Sequence, residues 1–257
     1  MKLRLLYIIS FLNLLPLIAQ AQGFDWQYSA RFPTNSPVFF IGVTGEFNYQ
    51  IHRSELDFLE DKITCVRFDN GTGYGYTGGL SFENWQNASW ALFGSVNFSN
   101  IPATFSKQAE PLPIANGDFE ITEYNFVSQY RFIILEAGEK MRLSTTHFFV
   151  GASLQIGVFI SKSEESKEKI IAPENAPPFP TNPPSYERTI LDGSISTMNK
   201  FSLTPRIRFG YDFNLGNSYY SSISIICGYS LFSVTKDADW RRSSVSAGLT
   251  IYRGLFF

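Results

Sequence analysis

The stretch KFSLTPRIRFGYDFNL, residues 200–215, alternates polar and apolar side chains over sixteen positions. A period of two indicates a β-strand, because successive side chains of a strand point to opposite faces. Strands in globular proteins are mostly about five or six residues long, so this length favours a membrane barrel over a soluble sandwich. The apolar face consists of Phe201, Leu203, Pro205, Ile207, Phe209, Tyr211, Phe213 and Leu215.

Seven further segments alternate in the same way, so the sequence predicts eight strands. We expect the apolar face of each to meet lipid and the polar face to line the lumen. The residues predicted to face lipid are Phe39, Ile41, Val43, Phe47, Tyr49 and Ile51; Tyr74, Tyr76, Leu80 and Phe82; Trp90, Leu92, Val96 and Phe98; Tyr124, Phe126, Tyr130, Phe132 and Ile134; Phe148, Val150, Ala152, Leu154, Ile156, Val158 and Ile160; Tyr219, Ile223, Ile225, Cys227, Tyr229 and Leu231; and Val245, Ala247, Leu249, Ile251, Leu255 and Phe257.

Except for the final one, which is short, the predicted connections alternate in length as in outer-membrane barrels, which have short periplasmic turns and longer outer loops. A closed barrel is also the only β architecture that pairs every backbone group in lipid. We therefore predict an all-β fold, an eight-stranded antiparallel up-and-down transmembrane β-barrel over residues 37–257. The long connections are 54–71, 99–118 and 162–198, the middling one is 136–145, and the short ones are 84–88, 215–218 and 235–239.

The N-terminal 21 residues read as a cleaved signal peptide. Lys2 and Arg4 precede an apolar run, and Ala19-Gln20-Ala21 forms a cleavage site. Residues 22–36 are then an aromatic periplasmic leader segment. The mature chain carries no run of about 18 apolar residues that would predict a spanning helix. These features predict a bacterial outer-membrane location, with outer-membrane lipid as a partner.

The composition contains no basic stretch, and the formal net charge is -2. Nucleic acid is therefore not an expected partner. Nothing in the sequence indicates a cofactor or a metal site. Aromatic residues make up 16% of the chain, which fits the aromatic girdles of outer-membrane barrels.

Charged residues on the predicted lumen face form the first candidate site. Eight strands enclose an interior that side chains just fill, so acids and bases of similar number are expected to pair there and plug the lumen. A narrow ion path is the alternative. The predicted ion-pair network consists of Glu46, Glu83, Glu123, Arg131, Arg206, Arg208, Asp212 and Arg242.

A histidine near the outer end of the first strand is the second candidate. His52 has Ser54, Glu55 and Asp57 close by in sequence. A lipid-modifying enzyme needs a base held by an acid next to a nucleophile, and His52 with Glu55 or Asp57 offers that pair. No enzyme motif surrounds His52, so a polar rim histidine is the alternative that we favour.

The connection 162–198 is the third candidate. KSEESKEK, residues 162–169, reads as a solvated charge run with a helical turn or two. The proline-rich stretch that follows favours extended backbone and leaves Phe179 and Tyr186 as candidate contacts. A mobile surface loop is the alternative.

The segment FFIGVTGEFNYQ, residues 39–50, places Gly42, Gly45 and Asn48 in a G-x-x-G-x-x-N spacing. In this it resembles the small outer-membrane β-barrel family of Bacteroidota, the PorT-like or OmpX-like group. The resemblance implies an outer-membrane location, and some members of the group take part in protein secretion.

The terminal Phe257 resembles the signal that the barrel-assembly machinery reads, although Arg253 departs from that pattern. The expected partners are therefore the barrel-assembly machinery and other envelope proteins. The leading function is a non-enzymatic structural or interaction protein, or an accessory subunit of an envelope complex. The alternatives are a small pore and a lipid-modifying enzyme that uses His52.

Overall fold

The computed structural model describes residues 39–60, 63–87, 89–114, 119–143, 146–173, 176–192, 198–216, 218–236 and 238–255. The predicted signal peptide, the leader segment and the terminal Phe257 lie outside the described residues. No helix in these ranges is long and apolar enough to span a membrane.

Eight of the ten strands in the described ranges form a closed antiparallel ring. The order is β1, β2, β3, β5, β6, β8, β9, β10 and back to β1, which confirms the predicted eight-stranded barrel. The short strands β4 and β7 extend this wall beside β5 and β6. The bounds are β1 Phe39–Glu60, β2 Ile63–Trp85, β3 Trp90–Gln108, β4 Leu112–Pro113, β5 Phe119–Arg142, β6 Phe148–Ala172, β7 Glu187–Asp192, β8 Phe201–Gly216, β9 Tyr219–Tyr229 and β10 Trp240–Leu255.

The barrel has two unlike ends. The turn end carries the short connections after β2, β5 and β8, together with Phe39 and Leu255. The hairpin end carries the other connections, and there the wall is uneven in height. β1 extends beyond β10, because the pairing between these strands ends at Ser54 opposite Trp240. β6 likewise extends beyond its pairing with β8.

Most of the residues expected in the connections 54–71, 99–118 and 136–145 belong to strands, so the prediction of loops there is wrong. In the connection 162–198, residues 162–172 and 187–192 belong to strands. Only residues 61–62 separate β1 from β2, and β3 continues to Gln108. The charge run KSEESKEK lies within β6 and is not helical. These segments also alternate between polar and apolar residues. Their many polar residues, which lie on the outer face of the wall, made them resemble loops in the sequence.

The exterior of the lower barrel is apolar, as predicted. We call this surface the girdle. The sequence placed most of its members correctly on β1, β2, β3, β6, β8, β9 and β10. Its exposed side chains include Ile41, Val43, Phe47, Ile51, Tyr74, Tyr76, Leu80, Phe82, Leu92, Val96, Phe98, Val150, Leu154, Ile156, Val158, Ile207, Phe209, Ile223, Ile225, Val245, Leu249 and Ile251.

The upper half of β5 has the reverse polarity, and here the prediction is wrong. Tyr124, Phe126, Tyr130, Phe132 and Ile134 are buried inside the barrel, whereas Arg131 is exposed outside. Above the girdle the apolar face turns inward, as it does in a barrel that stands in water. The upper interior is an aromatic core: Leu56, Val66, Phe68, Ile101, Ala103, Phe105, Tyr124, Phe126, Tyr130, Phe132, Ile134, Met198 and Trp240.

A β-bulge in β6 lies at the boundary between the girdle and the aromatic core. The register with β5 shifts between Arg131 and Phe132, and Ile160 is the extra residue. Inward positions of β6 are odd-numbered below the bulge and even-numbered above it, since one inserted residue changes the parity of every later side chain. Glu164 and Glu168 therefore point into the barrel.

Candidate functional site

The lumen near the turn end is filled by an ionic cluster. Lys140 Nζ lies 3.1 Å from Glu83 Oε1 and 2.8 Å from Asp212 Oδ1, and Arg142 contacts the same aspartate at 3.1 Å. Glu83 also accepts a hydrogen bond from the Tyr220 hydroxyl. All of these side chains are buried. They link β2, β5, β8 and β9 across the lumen.

A second ionic cluster crosses the middle of the barrel. Arg206 contacts Glu46 at 2.6 Å and Glu136 at 2.8 Å, and Arg208 contacts Glu136 at 2.5 Å. Ser153 donates a further hydrogen bond to Glu136 at 2.6 Å. Each carboxylate of this second cluster is held by a guanidinium, and the side chains of the two clusters occupy the lower lumen.

Six of the eight predicted network residues lie inside the barrel, and two do not. Glu123 accepts a hydrogen bond from Ser106 at an exposed position, and Arg131 is exposed on the outer face. Placing these two in the lumen is wrong, because the aromatic residues of upper β5 occupy it instead. Glu136, Lys140 and Arg142 were not predicted to lie in the lumen, because residues 136–145 were predicted to form a connection. Their spacing of four and then two residues nevertheless continues the strand period.

Arg242 is the sixth inward member of the predicted network, and it has no carboxylate partner among the described residues. Its guanidinium donates only a long hydrogen bond to Thr204 Oγ1, at 3.4 Å, although the side chain is buried. It lines a cavity of about 10 Å³ together with His52, Tyr130, Ser202 and neighbouring residues. The cavity lies between the middle ionic cluster and the aromatic core.

Both ring nitrogens of His52 are engaged. The indole Nε1–H of Trp240 donates to Nδ1 at 3.0 Å, so Nε2 carries the proton and donates to the carbonyl of Pro102 at 3.2 Å. The imidazole is fully buried. Glu55 is exposed on the opposite face of β1, and the side chain of Asp57 lies outside the described part of the chain. In this geometry His52 offers no free nitrogen for general-base catalysis.

The carbonyl that His52 contacts lies at a gap in the sheet. Pro102 has no N–H, and the ladder between β2 and β3 has no residue pairs between Thr72 and Tyr76 on β2. The gap allows the backbone of Gly73 to approach Pro102 closely. His52 therefore donates to a backbone carbonyl that has no ladder partner on β2, which is a structural role.

The connection between β6 and β7 is ordered by hydrogen bonds over its described residues. Phe179 N–H donates to Ser185 O at 2.8 Å, and the Arg188 guanidinium lies 4.7 Å from the Phe179 ring centroid. Arg188 also contacts Glu168 at 2.6 Å. Phe179 is thus half-buried under Arg188, whereas Tyr186 is exposed.

The girdle defines the class of protein. On β1 it runs from Ile41 to Ile51, and ten residues of a strand tilted by about 40° rise roughly 25 Å, the height of the apolar band in outer-membrane barrels. A closed antiparallel barrel has no open sheet edge, and with such an exterior it presents an apolar surface to the lipid chains. The chain is a transmembrane β-barrel of the bacterial outer-membrane type.

Several solved structures are similar to this chain at low identity. The attachment invasion locus protein Ail of Yersinia pestis is 13% identical over 84% of this chain and 99% of that chain, with a TM-score of 0.33. Neisserial surface protein A is 10% identical over 82% and 95%, with a TM-score of 0.36. The outer membrane protease OmpT from Escherichia coli is 8% identical over 88% and 100%, with a TM-score of 0.33.

Because these TM-scores are below 0.5, the similarity assigns no function of these proteins to this chain. No protein-family model matches the chain. No curated protein matches it either. The resemblance to the PorT-like group therefore stays a prediction.

Proposed function

We propose that this protein is a non-enzymatic outer-membrane barrel with a plugged lumen, which presents a rigid β-structured projection to an envelope or extracellular protein. The single observation that carries the proposal is the reversal of polarity above the girdle. Five ring strands continue into water there, and their interior becomes an aromatic core. We call this upper part the projection.

The projection is packed like a soluble domain. Inside, Trp240 contacts Phe105 edge-on at a centroid distance of 5.1 Å and also packs on Phe126. Outside, Lys107 contacts Asp69 at 2.6 Å. A core of this kind fixes the shape of the outer surface, which favours recognition of a partner over flexible contact.

The charged exterior of the projection also carries linked ion pairs. Lys167 lies 3.3 Å from Glu187 and 3.4 Å from Glu165. Hydrogen bonds to these two carboxylates raise the pKa of the Lys167 amine. The Glu187 pair joins β6 to the edge strand β7, whereas the Glu165 pair lies within β6.

The tip of the projection exposes apolar side chains far from the girdle. Leu112 is 58% exposed and Phe119 is 59% exposed, and Tyr186 is 46% exposed on the neighbouring connection. Large apolar side chains at a water-exposed tip are typical of protein contacts. We assign the partner contact to these three residues. Phe179, packed under Arg188, supports the tip from below.

The orientation follows the habit of outer-membrane barrels, in which short turns face the periplasm. Phe39 and Leu255, at the turn end, then lie on the periplasmic side, and the projection faces outward. The terminal Phe257 is the proposed signal for the barrel-assembly machinery. An accessory role in an envelope complex, including a secretion complex, is one form of this proposal.

The test uses the tagged protein purified from outer membranes in mild detergent, with mass spectrometry of what accompanies it. The triple variant Leu112→Ser, Phe119→Ser, Tyr186→Ser serves as the comparison, because it leaves the barrel interior intact. We expect a stoichiometric partner with the native protein and its loss with the variant. Equal recovery with both proteins would place the contact elsewhere and contradict the assignment to the tip.

The plugged lumen is tested separately in planar bilayers. Two ionic clusters cross the lumen, so the folded protein is expected to give no conductance steps. Regular steps from heat-modifiable, folded barrel would overturn the plug and favour the small pore.

A further inference from the structure

The cavity beside Arg242 contains a buried cation that nothing described in the structure neutralises. The Arg242 side chain is 6% exposed, and its one hydrogen bond, to Thr204, is long. An arginine cannot lose its proton in a protein. An unpaired buried charge is strongly unfavourable. A counter-ion bound beside Arg242 would therefore stabilise the folded protein.

The charge balance of the lower lumen points the same way. The described inward carboxylates at this level are Glu46, Glu83, Glu136 and Asp212. Glu164 and Glu168 point inward above the β6 bulge, where Glu164 contacts Lys162 and Glu168 contacts Arg188. The inward cations are Lys140, Arg142, Arg206, Arg208 and Arg242. Four acids thus face five bases, and each base except Arg242 contacts at least one of those acids. Within the lower lumen the bases therefore exceed the acids by one, and the base without an acid is Arg242 at the cavity.

Several polar groups around the cavity are already committed. Tyr130 donates its hydroxyl proton to a carboxylate, and Asn199 donates its amide hydrogens to two backbone carbonyls. Ser230 donates to a backbone carbonyl as well. The Ser202 hydroxyl forms no hydrogen bond with another described residue. Arg242 and Ser202 therefore retain hydrogens that a ligand in the cavity can accept.

We propose that this cavity is an anion site, in which Arg242 and Ser202 bind one small monovalent anion of halide size. A cavity of about 10 Å³ admits roughly one water-sized particle. Phosphate and lipid headgroups are too large for it. The bound anion supplies the charge that the ionic clusters lack and stabilises the junction between the clusters and the aromatic core.

The first test uses the mature protein refolded into micelles in sodium chloride or in sodium gluconate at equal ionic strength. Gluconate is too large for the cavity. We expect unfolding to be slower and its thermal midpoint higher in chloride. A ligand at ten times its dissociation constant favours the folded state about elevenfold. Crystals grown in bromide are expected to show an anomalous peak beside the Arg242 guanidinium.

Two charge variants give the matched comparison. Arg242→Gln removes the proposed ligand group, and Arg241→Gln removes the neighbouring exposed cation that pairs with Asp239. The chloride effect should disappear in the first and persist in the second. If Arg242→Gln does not fold, the chloride effect on the native protein and the bromide peak still test whether the cavity binds an anion. Equal midpoints in both salts with no bromide peak would mean that water alone fills the cavity, and the proposal would fall.

Discussion

The indole nitrogen of Trp240 donates a hydrogen bond to Nδ1 of His52 across the barrel interior, at 3.0 Å between residues 188 positions apart. The donor fixes the tautomer of the imidazole, and the imidazole in turn holds the carbonyl of Pro102. His52 therefore links the closing strand β10 to the gap between β2 and β3.

Trp240→Phe is expected to destabilise the barrel by about 1–3 kcal/mol, because it keeps an aromatic ring but leaves Nδ1 of His52 buried without a donor. The free energy of urea unfolding from micelles measures the loss. Trp90→Phe at the turn end, where the ring is half-buried, serves as control and should change little. Similar losses in both variants would show that ring packing matters and the hydrogen bond does not.

His52→Ala tests the enzyme alternative directly. Since both nitrogens of His52 serve the structure, membranes that carry this variant should have unchanged lipid A. Altered lipid A with a barrel that still folds would favour the lipid-modifying enzyme. Mass spectrometry of extracted lipid A, compared with cells that lack the protein, provides the measurement.

Asp212→Asn is expected to cost about 3–5 kcal/mol, because it leaves the buried Lys140 and Arg142 without their shared carboxylate. Asp239→Asn removes the same charge from an exposed pair with Arg241, and exposed pairs contribute little. Urea midpoints of the two variants and the native protein should therefore separate widely. Matching midpoints would mean that the lumen is wet enough to solvate the freed cations.

Gly73→Ala should destabilise the barrel by about 1–3 kcal/mol, which is the usual cost of inserting extra atoms into a well-packed region. A Cβ at this position would overlap the backbone carbonyl of Pro102, which cannot rotate away as a side chain would. A Cβ at Gly45 meets nothing within 4 Å, so Gly45→Ala is the control. Loss of the heat-resistant folded band on gels reports the difference.

Cysteine labelling tests the reversal of polarity in β5. In a Cys65→Ser, Cys227→Ser background, Arg131→Cys should react on intact cells with a charged maleimide that cannot cross the membrane. Phe132→Cys should not react, because its side chain lies in the aromatic core. Ile207→Cys in the girdle should react only with a lipid-soluble reagent. Labelling at position 132 and not at 131 would restore the original prediction for this strand.

The alternation in residues 200–215 predicted β8 well, because at that level charged side chains lie inside and the apolar girdle lies outside. The same period misled on β5. Alternation shows that two faces differ, but it does not say which face is inside. Phe126 and Ile207 carry the same apolar signal, yet one side chain is buried in a core and the other meets lipid.

The candidate site was predictable only in part for the same reason. Arg206 and Asp212 were placed in the lumen because they oppose girdle residues on one strand. Lys140 was missed because charged residues near a strand end resembled a turn. No local pattern revealed that Arg242 lacks a partner, since that depends on which side chains five strands bring together.

The reversed polarity of the projection also constrains how the chain enters its membrane. A finished barrel would have to carry Arg131 and Lys167 across hydrocarbon on its outer surface, at roughly 2–4 kcal/mol for each cation at the midplane. We infer that each long hairpin crosses as an unpaired segment through a hydrated passage and closes around Trp240 only on the far side. Insertion into pure lipid vesicles should then be slower than for a variant trimmed to the girdle, and equal rates would contradict this order of events.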